Sequence, residues 1–142
     1  MVRVRQAEEA DLAALAALSG ELGYPSALPE VAARFRRLRA GEWHLLLVAA
    51  LDAEVVGYLT ADRYETLYFA PGLNITALVV REERRGQGIG TALLSAAEDW
   101  ARAAGLEFVR LNSGGQRLDA HAFYRRRGYG DEKEQKRFFK EL

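Results

Sequence analysis

Residues 74–94 read NITALVVREERRGQGIGTALL. An apolar run, Asn74–Val80, has the character of a strand. It meets a loop with Gly86, Gly88 and Gly90, and the loop opens into a helix over Gly90–Ala104. In that helix Leu93, Ala97, Trp100 and Ala104 recur at steps of four, three and four. The first turn of a helix leaves its backbone N–H groups without intrahelical partners, and the helix dipole adds partial positive charge there. Glycines remove the Cβ atoms that would keep an anion away from the backbone, and Arg84 and Arg85 add cationic donors. The stretch therefore reads as a phosphate or pyrophosphate site.

Spacing excludes two familiar phosphate loops. A Walker A loop needs Gly-Lys-Ser/Thr after four intervening residues, and no Lys follows these glycines. A dinucleotide loop needs G-x-G-x-x-G, whereas Gly86, Gly88 and Gly90 give G-x-G-x-G.

Working outward, Val2–Arg5 alternates as a short first strand. Asp11 stands where it could cap a helix carrying Leu12, Leu15, Leu18 and Leu22, which Gly23-Tyr24-Pro25 stops. Pro29 suits the first turn of a second helix with Val31, Phe35 and Leu38 on one face. Leu45–Leu51 and Val55–Ala61 are nearly continuous apolar strands joined by a tight turn at Asp52-Ala53-Glu54. Tyr64–Leu73 reads as a loop or strand extension. After Gly105 come a strand at Leu106–Leu111 and a helix at Leu118–Arg127. One or two strands are expected in Tyr129–Leu142, the last around Arg137–Lys140. The order β-α-α-β-β-β-α-β-α-β-β gives an α/β fold class, a mixed sheet with helices on its faces.

The 142 residues suit one domain, 1–142, and 49% hydrophobic residues can fill a core. Twenty Lys plus Arg balance twenty Asp plus Glu, so the net charge is +0 and no nucleic-acid partner is expected. There are no cysteines, which excludes disulfides, thiolate metal sites and a Cys acyl-enzyme. His44 and His121 belong to no ligand-spaced cluster, so no metal is expected. The N-terminus lacks a signal-peptide core, and no apolar run approaches the roughly 20 residues of a membrane helix. A cytoplasmic protein with no membrane partner is the expectation.

Arg85-Gly86-Gln87-Gly88-Ile89-Gly90 resembles the R/Q-x-x-G-x-G/A signature of the GNAT acetyltransferase superfamily. The resemblance runs from about Asn74 to Tyr129, with a consistent order of elements before it. It implies a central, mostly antiparallel sheet flanked by helices, and acetyl-CoA as co-substrate with its pyrophosphate on the amides of Arg85–Gly90. It further implies that backbone groups of Leu78, Val79 and Val80 hold the pantetheine arm and thioester, at a bulge in that strand. Asp119–Tyr129, DAHAFYRRRGY, is similar to the F/L-Y-x-x-x-G-F/Y stretch of these enzymes, which implies that Tyr124 lies beside the cofactor sulfur. Adjacent helical residues diverge by about 100°, so one of Phe123 and Tyr124 can pack while the other reaches the cofactor.

The chemistry sets demands. A free amine with a pKa near ~10.4 is only about 0.04% neutral at pH 7, so its proton needs an acceptor. The tetrahedral oxyanion needs a donor, for which the Val79 and Val80 N–H groups are candidates. The departing thiolate needs a proton or hydrogen bond, for which Tyr124 is the candidate. Glu21 and Glu65 are candidate bases acting through water, each balanced by a solvated-surface reading. Tyr24, Tyr64, Tyr68 and Phe69 are candidates to line the acceptor pocket. Arg125, Arg126 and Arg127 could reach the CoA 3′-phosphate or form a solvated face. His121 could relay protons or make a structural hydrogen bond.

Many relatives carry an Asn seven residues before this Tyr; here Arg117 occupies that place. With Leu22-Gly23-Tyr24-Pro25 and Phe139-Lys140-Glu141-Leu142, the pattern resembles a subgroup including aminoalkylphosphonate and aminoglycoside-type acetyltransferases. That implies a small-molecule primary amine as acceptor, attacked directly in a ternary complex, with Arg117 available to an anionic group. A non-catalytic CoA-binding regulatory module and a protein or peptide N-acetyltransferase are the alternative functions. The chain leaves monomer and homodimer open.

Overall fold

Two consecutive left-handed residues, Asp52 (φ 51°) and Ala53 (φ 70°), turn the chain between its two most apolar strands. Such primed turns match the twist of a hairpin, and neither residue is glycine. The structure, a computed structural model, describes residues 1–131 and 133–142. They divide into two units, Met1–Asn112 and Ser113–Leu142.

The first unit carries a five-stranded sheet in the order β1-β2-β3-β4-β5. The strands are β1 (Val2–Gln6), β2 (His44–Leu51), β3 (Glu54–Tyr64), β4 (Gly72–Val80) and β5 (Val109–Leu111). The first four pair antiparallel, and β5 pairs parallel with β4. β3 runs three residues beyond its apolar core because Asp62, Arg63 and Tyr64 still find partners on β4. β5 is shorter than its apolar run, since only Val109–Leu111 reach the β4 ladder.

Helices α1 (Leu12–Leu22) and α2 (Leu28–Ala40) cover one face of this sheet. There Leu15, Leu18 and Phe35 pack with Val48, Tyr58 and Val79. Gly23, at φ 106°, ends α1 in the left-handed conformation that glycine tolerates. The Asp11 side chain does not cap α1. Its carboxylate instead accepts two hydrogen bonds from Arg5, at 2.8 and 2.9 Å, and one from the Glu8 N–H at 2.7 Å. A preceding 3-10 turn, Glu9–Asp11, brings it there.

Helix α3 (Ile89–Ala103) covers the other face. It buries Ile89, Leu93, Leu94, Ala97 and Ala101; of the expected stripe, Trp100 is half-buried and Ala104 is exposed beyond the helix end. Burying Ile89, Leu93 and Leu94 contributes roughly 5–9 kcal/mol before conformational entropy is counted. Gly57 allows this approach. A Cβ there would lie 2.9 Å from the Val79 carbonyl oxygen and 3.3 Å from both Ile89 and Leu93.

The second unit holds α4 (Leu118–Arg126), closed by Gly128 at φ 91°. Among the described residues no strand follows Leu111, so the strands expected in 129–142 are not formed there; Glu132 lies outside the described residues. The run DEKEQKR, 131–137, offers no apolar residue with which an alternating strand could bury a face, and Phe138 and Phe139 are exposed.

Candidate active site

The glycine loop has the geometry of an anion cradle. Gly86 (φ 80°) and Gly88 (φ 81°) are both left-handed, and Gly88 is the cap from which α3 starts. A Cβ built on either would meet no atom within 4 Å, so the space above the loop is open to a ligand. Among the described residues, the N–H groups of Gly88, Ile89 and Gly90 have no backbone acceptor; the first bond of α3 is from the Ala92 N–H to the Gly88 carbonyl at 3.0 Å. The Ile89 side chain is buried and anchors the helix start, leaving its backbone to the loop. Arg85 is exposed and its Nε donates to the Val80 carbonyl at 3.4 Å. Neither Arg84 nor Arg85 forms an ion pair among the described residues. These groups fit a pyrophosphate: free amides, two unneutralised cations and no obstructing side chain.

β4 leads straight into this cradle. Its register against β3 shifts by one residue, Thr60 facing Ala77 and Ala61 facing Ile75, so Thr76 bulges. The expected bulge thus lies two residues before Leu78. On the other side, β5 pairs only with Leu73–Ile75. From Thr76 to Val80 that edge of β4 has no strand partner among the described residues. Backbone groups of Leu78 and Val80 that point this way are free to pair with an amide-bearing ligand.

Two candidate bases have structural partners. Glu21 accepts the Glu82 N–H at 2.9 Å, which ties the end of α1 to the 3-10 turn Glu82–Arg84 at the mouth of the loop. Glu65 accepts from Arg63 Nε at 3.2 Å and lines an open hollow of about 480 Å³ with Thr66, Leu67, Phe69 and Pro71. Tyr24, Tyr68 and Phe69 are exposed, whereas Tyr64 packs edge-on against Phe108.

Within the second unit, Tyr124 is half-buried on α4, its ring in edge contact with Phe123 (5.3 Å) and Tyr129 (6.1 Å). Burial raises its phenol pKa above the usual value, and the positive charge of Arg117 opposes that in part. His121 Nε2 lies 2.8 Å from the Gly114 carbonyl, a structural hydrogen bond in which the nitrogen carries the proton. Arg125 is held by Asp131 in a two-pronged pair at 2.8 and 2.6 Å, and Arg127 stacks on Phe123 at 5.3 Å. The basic run is thus largely engaged in its own unit. Arg117 stands at the α4 N-terminus, its N–H donating to Gly114.

Two groupings escape a reading of sequence alone. Tyr58 is buried, and its hydroxyl lies 2.8 Å from Ser19 Oγ, which itself donates to the Leu15 carbonyl; Tyr58 is therefore the donor to Ser19. Burial raises its pKa and the Ser19 bond partly offsets this. The second is a polar row, His44–Asp62–Asn74–Arg110, that only strand register assembles. Polar residues within apolar strands were its one sequence signal.

Comparison with known proteins agrees with this geometry. Residues 11–129 match the Acetyltransferase (GNAT) family. Aminoalkylphosphonate N-acetyltransferase of Salmonella typhimurium is 42% identical over 83 residues, 58% of this chain and 54% of that protein, so the chain spans about half the length of this relative. Aminoglycoside N(6')-acetyltransferase type 1 of Stenotrophomonas maltophilia is 32% identical over 130 residues, 89% of this chain and 84% of that one. The structure of AAC(6')-Iy in complex with the bisubstrate analogue CoA-S-monomethyl-acetylneamine superposes with a TM-score of 0.87 at 16% identity, covering 100% of this chain and 99% of that one, a likeness of fold. No helix among the described residues is long and apolar enough to cross a membrane. With a strand, a left-handed glycine loop and a helix start in the arrangement that the family match spans, the chain belongs to the GNAT acetyltransferase family.

Proposed function

We propose that this protein transfers the acetyl group of acetyl-CoA to a primary amine of a small molecule by direct attack in a ternary complex. The observation that carries the reading is the open cradle of Gly86–Gly90 at the end of a β4 edge that β5 leaves unpaired. In this reading the pyrophosphate sits on the loop amides, with Arg85 beside it. The pantetheine arm lies along Leu78, Val79 and Val80. Resemblance to relatives named for aminoalkylphosphonates and aminoglycosides supports a small amine.

The amine nitrogen attacks the thioester carbonyl and its proton passes to water. The oxyanion is met by the backbone N–H of Val80, on the edge of β4 that β5 leaves open; that of Val79 turns to Tyr58 on β3. The C–S bond then breaks, and the thiolate takes a hydrogen bond from Tyr124. A phenol near ~10 is a weaker acid than a thiol near ~8.5. Burial moves the Tyr124 phenol further in that direction. Tyr124 therefore stabilises the leaving thiolate by donating a hydrogen bond, and water completes its protonation. The lack of any cysteine leaves no route through a Cys acyl-enzyme. Release of CoA thiol from acetyl-CoA, followed across a panel of small amines and a set of peptides, tests the reading. Turnover of one or more amines supports it; tight CoA binding with no thiol release from any acceptor overturns it in favour of a binding module.

A further inference from the structure

The sheet face that carries Tyr58 and Val79 changes character along its strands. Beneath α1 and α2 it is apolar, with Val48, Tyr58 and Val79 in the core. Further along, His44, Asp62, Asn74 and Arg110 stand side by side at one level of β2, β3, β4 and β5. Directly paired residues share a face of the sheet, so the four form one polar row. Asn74 orders it. Its Nδ2 donates to Asp62 Oδ1 at 3.2 Å, which leaves its Oδ1 to accept from Arg110 Nη1 at 2.9 Å. Arg110 Nη2 also donates to Asn112 at 3.3 Å, and its Cζ lies 4.5 Å from the centre of the Tyr64 ring.

Arg110 is thus fixed in direction, half-buried, and without an ion pair among the described residues. Arg5, Arg81 and Arg125 each meet a carboxylate directly. At Arg110 an amide takes that place, holding the guanidinium without neutralising it. Of its five N–H groups, two are used, and the planar fork matches the oxygens of a carboxylate, phosphate or phosphonate. The row also lies on the strand that leads to the cradle. Asn74 precedes Leu78 by four residues, about 10–13 Å of bulged strand. That separation suits an acceptor whose acidic group is a short carbon chain from its amine.

We propose that Arg110 selects acceptors that carry an anionic group beside the primary amine, and that Asn74 positions its guanidinium. The proposal rests on the acetyl-transfer reading above. Its test compares 2-aminoethylphosphonate, β-alanine and the neutral β-alaninamide as acceptors for the full chain, by thiol release. The parent turns over one of the anionic amines at least 10-fold better in kcat/KM than the amide; the phosphonate and carboxylate arms tell which acid is preferred. Arg110→Gln brings that ratio close to one through KM of the anionic amine, with the amide changed less than about 3-fold. Arg110→Lys, which keeps the charge and loses the fork, gives an intermediate ratio and covers the case in which Arg110→Gln fails to fold. An unchanged ratio in both variants overturns the proposal. So does a ratio that collapses in Arg117→Gln but not in Arg110→Gln. A parent that acetylates β-alaninamide as well as the anionic amines overturns this proposal alone. A parent that releases no thiol with any amine overturns the acetyl-transfer reading and this proposal with it.

Discussion

The carboxylate of Glu21 accepts the backbone N–H of Glu82 at 2.9 Å, so the last turn of α1 holds the turn that opens the glycine loop. A group occupied in this way braces the loop proposed to hold the co-substrate. Glu21→Gln keeps an oxygen able to accept the same N–H, and kcat and KM should stay within about 3-fold of the parent. Glu21→Ala removes the acceptor and should raise KM for acetyl-CoA several-fold with less effect on kcat. Steady-state kinetics of the two variants decide between brace and base: a base would be lost equally in both, and through kcat.

Gly88→Val places a β-branched residue at φ 81°, a conformation that costs a non-glycine residue about 1–2 kcal/mol or more. The loop should rearrange away from the cradle geometry while the core around Leu93 and Leu94 persists. Calorimetric titration should show CoA affinity reduced at least 30-fold, with the circular dichroism spectrum little changed. Unchanged affinity would remove the cradle from the cofactor site.

Tyr124→Phe keeps the ring contacts with Phe123 and Tyr129 and removes only the hydroxyl. It should lower kcat by roughly 10–10³-fold, with KM for acetyl-CoA nearly constant. Because burial raises the Tyr124 pKa above the ordinary phenol value, the hydroxyl stays protonated, and a donor, through the neutral and mildly alkaline range. A falling limb of the kcat profile between pH 8 and 9 that disappears in Tyr124→Phe would contradict this assignment.

Asp11 is 5% exposed and receives three hydrogen bonds, two of them from Arg5. The Arg5 bonds, aided by the Glu8 N–H, hold its carboxyl below the usual range against the opposing effect of burial. A depressed folded-state pKa contributes stability that is fully present above the unfolded value, near ~3.9, and lost as pH falls below it. Asp11→Asn should cost about 2–4 kcal/mol near neutrality by leaving Arg5 without its partner. Urea unfolding at several pH values should show this difference shrinking below pH ~4. A constant difference across that range would mean that the pair is not the source of the stability.

The cradle was legible in the sequence because its elements are contiguous: strand, glycines and helix follow one another between Asn74 and Ala104, and each leaves a local mark. The hairpin at Asp52-Ala53 was legible for the same reason. Asp11 misled, since its residue type suits a cap and nothing nearby marks Arg5 as the stronger partner. The helical stripe of α3 was read through Trp100 where the core takes Leu94 and Ala101. The polar row left only a scattered mark, single polar residues in otherwise apolar strands. His44, Asp62, Asn74 and Arg110 come from four strands, and the bulge at Thr76 sets which residues of β4 share their face. The closing strands expected in Tyr129–Leu142, the last around Arg137–Lys140, did not form among the described residues, and the charged run before Phe138 gives that segment little to bury.

The free edge of β4 from Thr76 to Val80 has a further consequence. An exposed strand edge is a template for another chain as much as for a ligand, and proteins usually blunt such edges with charge, proline or bulges. Here the blunting is partial: the Thr76 bulge twists one end, while Ala77–Val80 carry no charge and no proline. In the proposed complex the pantetheine amides would occupy this ladder, so the co-substrate would shield the protein from self-association while preparing it for chemistry. Ligand-free protein would then be the aggregation-prone species, and colloidal stability would follow co-substrate concentration by the same mass action that governs binding.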